Sequence, residues 1–225
     1  PPPLVRLLDT TYISCIYMHT VKLVSITPDA QGLIAYCARV SNPANQNNTQ
    51  TAPRLLRYLI KHRHWSPFEM ANMVVEIKTT RAIAAQILRH RSFSFQEFSQ
   101  RYAAVQSIPQ PPLLRRQDVD NRQNSIDDIP LAEQYGWQDQ IEEHYASSYA
   151  LYDSLLDAGI AKECAREVLP LGSETTLYMN GTIRSWLHYV DLRSGPETQL
   201  EHRSVALGVK DLLKKELPDV YEAMW

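Results

Sequence analysis

The segment from Arg89 to Tyr102, RHRSFSFQEFSQRY, restricts how this chain can fold more than any other part of the sequence. It contains three arginines, one histidine, three serines and three phenylalanines, but its only carboxylate is that of Glu97. Guanidinium groups are permanently charged, so bringing Arg89, Arg91 and Arg101 together costs electrostatic repulsion that an anionic ligand relieves. The fold is therefore expected to present this segment to an anion, and a nucleotide is the natural candidate.

Composition excludes several classes of protein. The chain has 225 residues, of which 44% are hydrophobic and 21% charged, which is typical of a globular protein, and we expect one domain. A net charge of −2 argues against a protein whose main task is coating nucleic acid. No apolar run is long enough to cross a membrane. Cys15, Cys37 and Cys164 form no CxxC pair, which favours reduced thiols and a cytoplasmic location.

The first residues differ in character from the remainder. Residues 1–17 have neither the basic start nor the cleavage site of a signal peptide, and Met18 is a plausible start. We interpret residues 1–17 as an N-terminal tail or upstream extension, with an added strand as the alternative. Residues 18–225 are then the functional domain.

Apolar spacing alternates between the period of strands and the period of helices. Strands are predicted at 21–27 and 73–79. Helices are predicted at 29–40, 51–62, 81–90, 137–158, 161–169, 173–192 and 197–216, with His144 and His202 on the surface. Residues 107–130 contain four prolines and many polar residues, so they are predicted to be a long surface loop. The pattern indicates an α+β fold with a mixed or antiparallel sheet flanked by helices.

A set of motifs resembles one enzyme family. No GxGxxG or GxxxxGK loop is present, so side chains must hold any nucleotide. Within residues 89–102 the pattern RHRxxSxxExSxRY closely resembles the signature of the flavin-dependent thymidylate synthases. In the same order, HWSPFE at 64–69, AREVLP at 165–170 and TIRSWLHYVDLR at 182–193 resemble further family segments, and the likeness runs from about Val21 to Trp225. Departures from the commoner family pattern occur at Ser66, Gln96, Thr182 and His188.

The resemblance implies a reaction and its partners. It implies methylation of dUMP to dTMP, with 5,10-methylenetetrahydrofolate as the carbon donor, NADPH as the reductant and FAD as the cofactor that carries hydride. It further implies a homotetramer with active sites at subunit interfaces and no protein cysteine as nucleophile. Independently of the resemblance, no metal is expected, because His62 and His64 have no third ligand nearby at a useful spacing. None of the three cysteines lies in a cationic motif that would activate it, which agrees with this chemistry.

The resemblance also implies roles for individual residues. Arg193 is the implied catalytic residue, a cation at the N3 and O4 edge of the uracil that stabilises developing negative charge. The implied FAD-binding residues are Ser66, Arg89, His90, Arg91, Glu97, Thr182, Arg184 and His188. The implied dUMP-binding residues are Gln86, Arg89, Glu97, Ser99, Arg101, Arg166 and Arg193, while His64 and Tyr102 are expected to stack on folate.

The spacing within the last motif leaves two alternatives. Arg184 and His188 are four residues apart and share a helix face, whereas Arg193 lies nine residues beyond Arg184, about half a turn away around the helix. Either the helix ends before Arg193, or Arg184 and Arg193 serve different active sites of an oligomer.

Two other functions compete with the enzyme. The first is a module that binds single-stranded RNA or DNA through arginine and phenylalanine side chains, and the absence of an overall basic charge weighs against it. The second is a nucleotide-binding regulator that lost catalysis, and the intact Arg193 weighs against it.

Overall fold

The structure is a computed structural model, and it describes residues 19–225. The predictions of an N-terminal tail and of a start at Met18 lie outside the described residues. The strands are β1 (Thr20–Ile26), β2 (Asn72–Thr80), β3 (Ser94–Glu97), β4 (Arg116–Gln117), β5 (Ser125–Ile126) and β6 (Glu174–Thr182). The helices are α1 (Ala30–Ala38), α2 (Ala52–Lys61), α3 (Arg81–Ile87), α4 (Leu131–Asp157), α5 (Lys162–Ala165), α6 (Ile183–Arg193), α7 (Leu200–Glu216) and α8 (Pro218–Met224).

A mostly antiparallel sheet organises the fold. Its strand order is β1-β2-β6-β3, while β4 and β5 form a separate two-stranded hairpin in which Arg116 lies opposite Ile126. The prediction of an α+β fold with an antiparallel sheet and flanking helices is therefore confirmed. Among the residues described, no helix combines the length and apolar character needed to cross a bilayer.

The helix predicted at 173–192 is wrong over its first half. Residues 174–182 form the strand β6, in which Thr175, Leu177 and Met179 are buried on alternate positions. This period of two, together with three β-branched threonines, favours a strand, but the helical motif that follows directly hides the signal. Thr182 then caps α6, because its hydroxyl accepts a hydrogen bond from the Ser185 N–H at 3.2 Å.

The described residues group into two compact units that interleave along the chain. The first unit comprises His19 and residues 78–87 and 97–176; the second comprises residues 20–77, 88–96 and 177–225. In the first unit, Tyr149 and Tyr152 of α4 pack with Val105 and Ala165. Helix α4 begins six residues earlier than predicted, directly after Pro130, and Gly159, with φ of 77°, allows the chain to leave it.

The predicted long loop at 107–130 belongs to the first unit and contains only the short β4–β5 hairpin as regular structure. Two buried glutamines of α4 hold its N-terminal part. The Gln134 side chain bonds both the N–H and the carbonyl of Leu114, at 3.1 and 2.7 Å, and Gln138 donates to the Pro112 carbonyl at 3.2 Å. These bonds satisfy loop backbone groups and explain why polar residues lie on the buried face of the helix.

The core of the second unit is built around α6. Trp186 is fully buried, and its indole N–H donates to the Met73 carbonyl at 2.9 Å. The Phe93 ring packs edge to face on Trp186, with ring centroids 4.7 Å apart. Gly181 of β6 leaves room for that ring, because a Cβ added there would lie 2.4 Å from Phe93 Cδ1.

We therefore predict that Gly181→Ala lowers the free energy of unfolding by about 1–3 kcal/mol, since Phe93 must be displaced in a packed core. Chemical denaturation measures the change. The matched control is Gly136→Ala in α4, where an added Cβ has no neighbour within 4 Å. That control is expected to stabilise the helix by about 0.5–1 kcal/mol. Equal effects of the two substitutions would contradict the packing argument.

Candidate active site

Two motif arginines lie in the turn that precedes β3. Arg89 and Arg91 are exposed there, because α3 ends at Ile87 and not at His90 as predicted. The turn is held by the half-buried Phe93, whose ring packs on Trp186 and whose N–H donates to the His90 carbonyl at 3.3 Å. Within residues 19–225, neither guanidinium takes part in an ion pair with a carboxylate. The turn therefore presents two uncompensated positive charges.

His90, between these arginines, is bonded to Arg193. The Nε–H of Arg193 donates a hydrogen bond to His90 Nε2 at 3.1 Å. Because Nε2 accepts, the ring must carry its proton on Nδ1, which remains a donor. Burial, and then the charge of Arg193, lowers the pKa of His90 from 6.5 to about 4. The imidazole is therefore neutral near pH 7.

Arg193 is the last residue of α6, and Ser194 is the C-cap. The alternative in which the helix ends before Arg193 is therefore wrong. A cation in the last turn is favoured by the negative end of the helix dipole. Over residues 19–225, Arg193 takes part in no ion pair with a carboxylate. Its guanidinium charge is thus held by a neutral partner and is not cancelled.

Two contacts join α6 to the HWSPFE turn. Arg184 forms an ion pair with Glu69, and the His188 ring meets Trp65 edge to face at 4.9 Å. Burial, and then the charge of Arg184, lowers the pKa of His188, although Asp191 acts in the opposite direction. Arg184 and His188 lie on one helix face, as predicted.

The other residues implied in cofactor or folate binding in this unit have varied surroundings. The Thr182 hydroxyl is engaged in capping α6. Ser66 is exposed at the start of a short 3-10 segment, Ser66–Glu69. His64 is exposed, and its ring centroid lies 5.9 Å from that of Tyr58.

In the first unit, Glu97 is the centre of a polar cluster. Its Oε1 accepts hydrogen bonds from Arg81 Nη1 at 3.1 Å and from Thr175 Oγ1 at 3.0 Å. Arg81 lies before the motif, and Thr175 lies 78 residues after Glu97. Sequence reasoning assigned a function to neither of them.

Arg101 and Arg166 have carboxylate partners that the sequence analysis did not foresee. Arg101 pairs with Glu163 at 3.0 Å, and Arg166 lies 3.8 Å from Glu167. The Arg101 and Glu163 side chains are 59% and 53% exposed, and an ion pair this exposed contributes only about 0–1 kcal/mol. A dianionic ligand can therefore replace Glu163 at low cost. Ser99 Oγ accepts from the Arg101 N–H at 3.4 Å.

The implied site residues divide between the two units. The first unit contains Gln86, Glu97, Ser99, Arg101, Tyr102 and Arg166. The second contains His64, Ser66, Arg89, His90, Arg91, Thr182, Arg184, His188 and Arg193. The residues implied for the dUMP phosphate thus fall in the first unit, and most of those implied for FAD fall in the second.

Sequence reasoning missed a buried pair beside His90. The Tyr189 hydroxyl and His202 Nε2 are 3.1 Å apart, and the His202 side chain is 1% exposed. The prediction that His202 lies on the surface is therefore wrong. His202 shares a stripe of α7 with Val205 and Val209, and that apolar spacing was the signal for burial. Burial, and then the Arg193 charge, lowers the pKa of His202 from 6.5 to about 4.

Two further observations concern chemistry that other enzymes use. Cys37 and Cys164 are free thiols. Cys15 lies outside the described residues. In the part of the chain that the structure describes, no three His, Cys, Asp or Glu residues are grouped so that they could hold a metal ion.

Comparisons with known proteins agree on one family. A family model described as "Thymidylate synthase complementing protein" matches residues 22–219. A probable flavin-dependent thymidylate synthase of Paramecium bursaria Chlorella virus 1 is 52% identical over 212 residues, which cover 91% of this chain and 98% of that protein. A flavin-dependent thymidylate synthase of Synechocystis is 50% identical over 194 residues, covering 86% and 89%.

A solved structure has the same fold. The crystal structure of the UMP/dUMP methylase PolB from Streptomyces cacaoi, bound with 5-Br dUMP, superposes with a TM-score of 0.81. The two chains are 28% identical, and the match covers 91% of this chain and 93% of PolB.

The two histidines of low pKa predict a loss of stability in mild acid. Unfolding returns each pKa from about 4 to the ordinary 6.5, so the unfolded chain binds more protons between these values. The free energy of unfolding should therefore fall as the pH is lowered from 6.5 to about 4. Chemical denaturation over this range measures the slope. His202→Gln should flatten it, and an unchanged slope in that variant would refute the assignment.

Proposed function

The chain belongs to the flavin-dependent thymidylate synthase family, and we propose that it methylates dUMP to dTMP at a site whose uracil-polarising group is Arg193. The reaction takes its carbon from 5,10-methylenetetrahydrofolate and its electrons from NADPH. The observation that carries the proposal is the Arg193 guanidinium, which is bonded to a neutral imidazole and is not paired with a carboxylate among the described residues.

Arg193 acts as an electrostatic catalyst. The pyrimidine C5 is nucleophilic in the enolate-like form of the ring, which carries negative charge at the N3 and O4 edge, and a fixed cation at that edge stabilises this form. The bond to His90 uses Nε–H and leaves the two Nη groups of the guanidinium for the uracil. A bond to a carboxylate would instead cancel part of the charge on which this stabilisation depends.

We assign the dUMP phosphate to Arg101, Arg166, Ser99 and Gln86, with Arg89 reaching the same ligand. A dianion is bound well by charged and neutral donors together, and the weak, exposed pairing of Arg101 with Glu163 permits exchange. Glu97 accepts from a ribose hydroxyl or from the flavin side chain, and its contacts with Arg81 and Thr175 both fall on Oε1.

When bound, FAD would supply a hydride carrier between NADPH and the methylene carbon. We assign its ring to Arg89, His90 and Arg91. These residues fit an electron-rich ring edge, because the two arginines are exposed cations and the neutral His90 offers an Nδ1–H donor. The remaining FAD contacts are assigned to Ser66, Glu97, Thr182, Arg184 and His188, and stacking on folate to His64 and Tyr102.

We further propose a homotetramer whose subunits share each active site. Helix α6 includes both Arg184 and Arg193, which point about half a turn apart, so one ligand in one site cannot meet both along a straight helix. Exposed apolar side chains are available for subunit contact. Trp137 and Leu151 lie on one stripe of α4 and are each 51% exposed, and Tyr102 is 85% exposed.

A cytoplasmic location belongs to the same proposal, because the free thiols of Cys37 and Cys164 suit a reducing compartment. The two rival functions predict other behaviour. A nucleic-acid-binding module would be colourless and would bind oligonucleotides, whereas a regulator without catalysis would bind FAD but form no product. Since the Streptomyces relative is a UMP/dUMP methylase, UMP is the natural competing substrate in an assay.

We predict that Arg193→Ala abolishes turnover and leaves bound FAD largely in place. The variant loses the cation at the uracil edge but keeps Arg89, His90 and Arg91. Tritium release from C5-labelled dUMP or UMP measures turnover, and flavin absorbance with bleaching by NADPH measures the cofactor. Arg57→Ala, an exposed position on α2 without an assigned role, is the control and should behave as wild type. Loss of flavin in Arg193→Ala would show that the division of roles is wrong.

We also predict that no thiol is needed for the reaction. A variant in which Cys15, Cys37 and Cys164 are all replaced by serine should form dTMP at a rate within about twofold of wild type, since Arg193 does the work that a thiolate does in covalent catalysis. Steady-state dTMP formation measures this. If the triple variant folds but does not turn over, the prediction that the cysteines have no catalytic role is wrong.

A further inference from the structure

His90 and Arg193 rest against a buried pair that no site assignment includes. Tyr189, on α6, is 2% exposed, and His202, on α7, is 1% exposed. Their polar atoms, the Tyr189 hydroxyl and His202 Nε2, are 3.1 Å apart. A buried hydroxyl and a buried imidazole would each be costly without such a bond.

Both side chains of this pair pack against the His90 ring. The His90 and Tyr189 rings meet edge to face, with centroids 5.0 Å apart and planes inclined at 82°. His90 meets His202 in the same manner, at 6.0 Å and 82°. Two edge-to-face contacts from different helices restrict the rotation of the His90 ring. The direction of Nε2, which accepts the Arg193 Nε–H, is restricted with it.

We propose that Tyr189 and His202 are positioning residues that hold His90 in the orientation in which it directs Arg193 at the substrate. The proposal rests on the catalytic role assigned to Arg193 above. In this proposal Tyr189 and His202 orient the His90 imidazole, and His90 in turn orients the Arg193 guanidinium.

The charges in this cluster agree with the geometry. Burial raises the pKa of Tyr189, so its hydroxyl stays protonated. The pKa values of His90 and His202 are both lowered to about 4. Arg193 is thus left as the cation of a four-residue cluster. A second positive charge on His90 would remove the acceptor that the Arg193 Nε–H requires.

Steady-state kinetics of full-length holoenzyme tests the proposal. His202→Leu and Tyr189→Phe should each lower kcat/KM for dUMP by about fivefold to tenfold, the effect of losing one hydrogen bond. His202→Gln keeps a polar partner for the Tyr189 hydroxyl and should therefore retain most of the wild-type kcat/KM for dUMP. The FAD dissociation constant, from flavin fluorescence, should change less than kcat/KM.

Tyr152→Phe is the matched control, because it also removes one buried tyrosine hydroxyl, which accepts from the Val105 N–H at 3.3 Å outside the assigned site. It should lower the melting temperature but leave kcat/KM for dUMP within about twofold of wild type, as expected when stability alone changes. If Tyr189→Phe and Tyr152→Phe have equal effects on kcat/KM, the proposal is overturned. Tyr189→Phe loses one oxygen atom, so it keeps the test decisive if His202→Leu does not fold.

A measurement without turnover separates this proposal from the proposed function. In ¹⁵N-histidine NMR spectra of the wild type without substrates, His90 should carry its proton on Nδ1. In Tyr189→Phe the signals should indicate a mixture of the two tautomers. If the wild type forms no dTMP but both proteins give the expected spectra, the proposed function is wrong and the positioning of His90 by Tyr189 and His202 is supported. If His90 keeps its tautomer in a folded Tyr189→Phe protein, the positioning proposal is wrong.

Discussion

The hydrogen bond from Arg193 Nε to His90 Nε2 joins two segments that are 103 residues apart in the chain. It requires an imidazole that is not protonated, and burial beside a guanidinium supplies that condition by lowering the pKa of His90 to about 4. The result is a cation held by a neutral acceptor. A carboxylate would have held Arg193 more tightly but would have cancelled the charge on which its proposed role at the uracil depends.

Two other arginines of the motifs are paired with acids of the same chain, whereas Arg89 and Arg91 have no carboxylate partner among the described residues. Arg101 pairs with Glu163 and Arg184 with Glu69, and the side chains of both pairs are substantially exposed. Such pairs are weak in water, because solvent and salt screen them and two long side chains lose freedom when they form. In the proposed function, they keep a cationic site compatible with a folded chain and are replaced by contacts with a phosphate or a flavin. The stronger interactions are the buried contacts that pack against the site.

Local patterns predicted much of the fold. The apolar spacing of β1, β2 and α2 was visible in the sequence, as was the irregular segment at 107–130. The helix predicted over 173–192 was wrong in its first half, because the period of two in β6 is only nine residues long and runs directly into the helical motif. Short strands acquire their hydrogen bonds from neighbours far away in the chain, so they carry a weak local signal.

The sequence by itself determined which chemistry is available: a cluster of arginines with few local acids, no glycine-rich phosphate loop, and motifs that identify the family. Only the tertiary structure decided which charges are neutralised and which remain, that His202 is buried against Tyr189, and that α6 continues to Arg193. The physical reason is that residue type sets charge and hydrogen-bonding capacity locally, whereas burial and ion pairing depend on distances between atoms of remote segments. The bond between Thr175 and Glu97 spans 78 residues, and no local pattern encodes it.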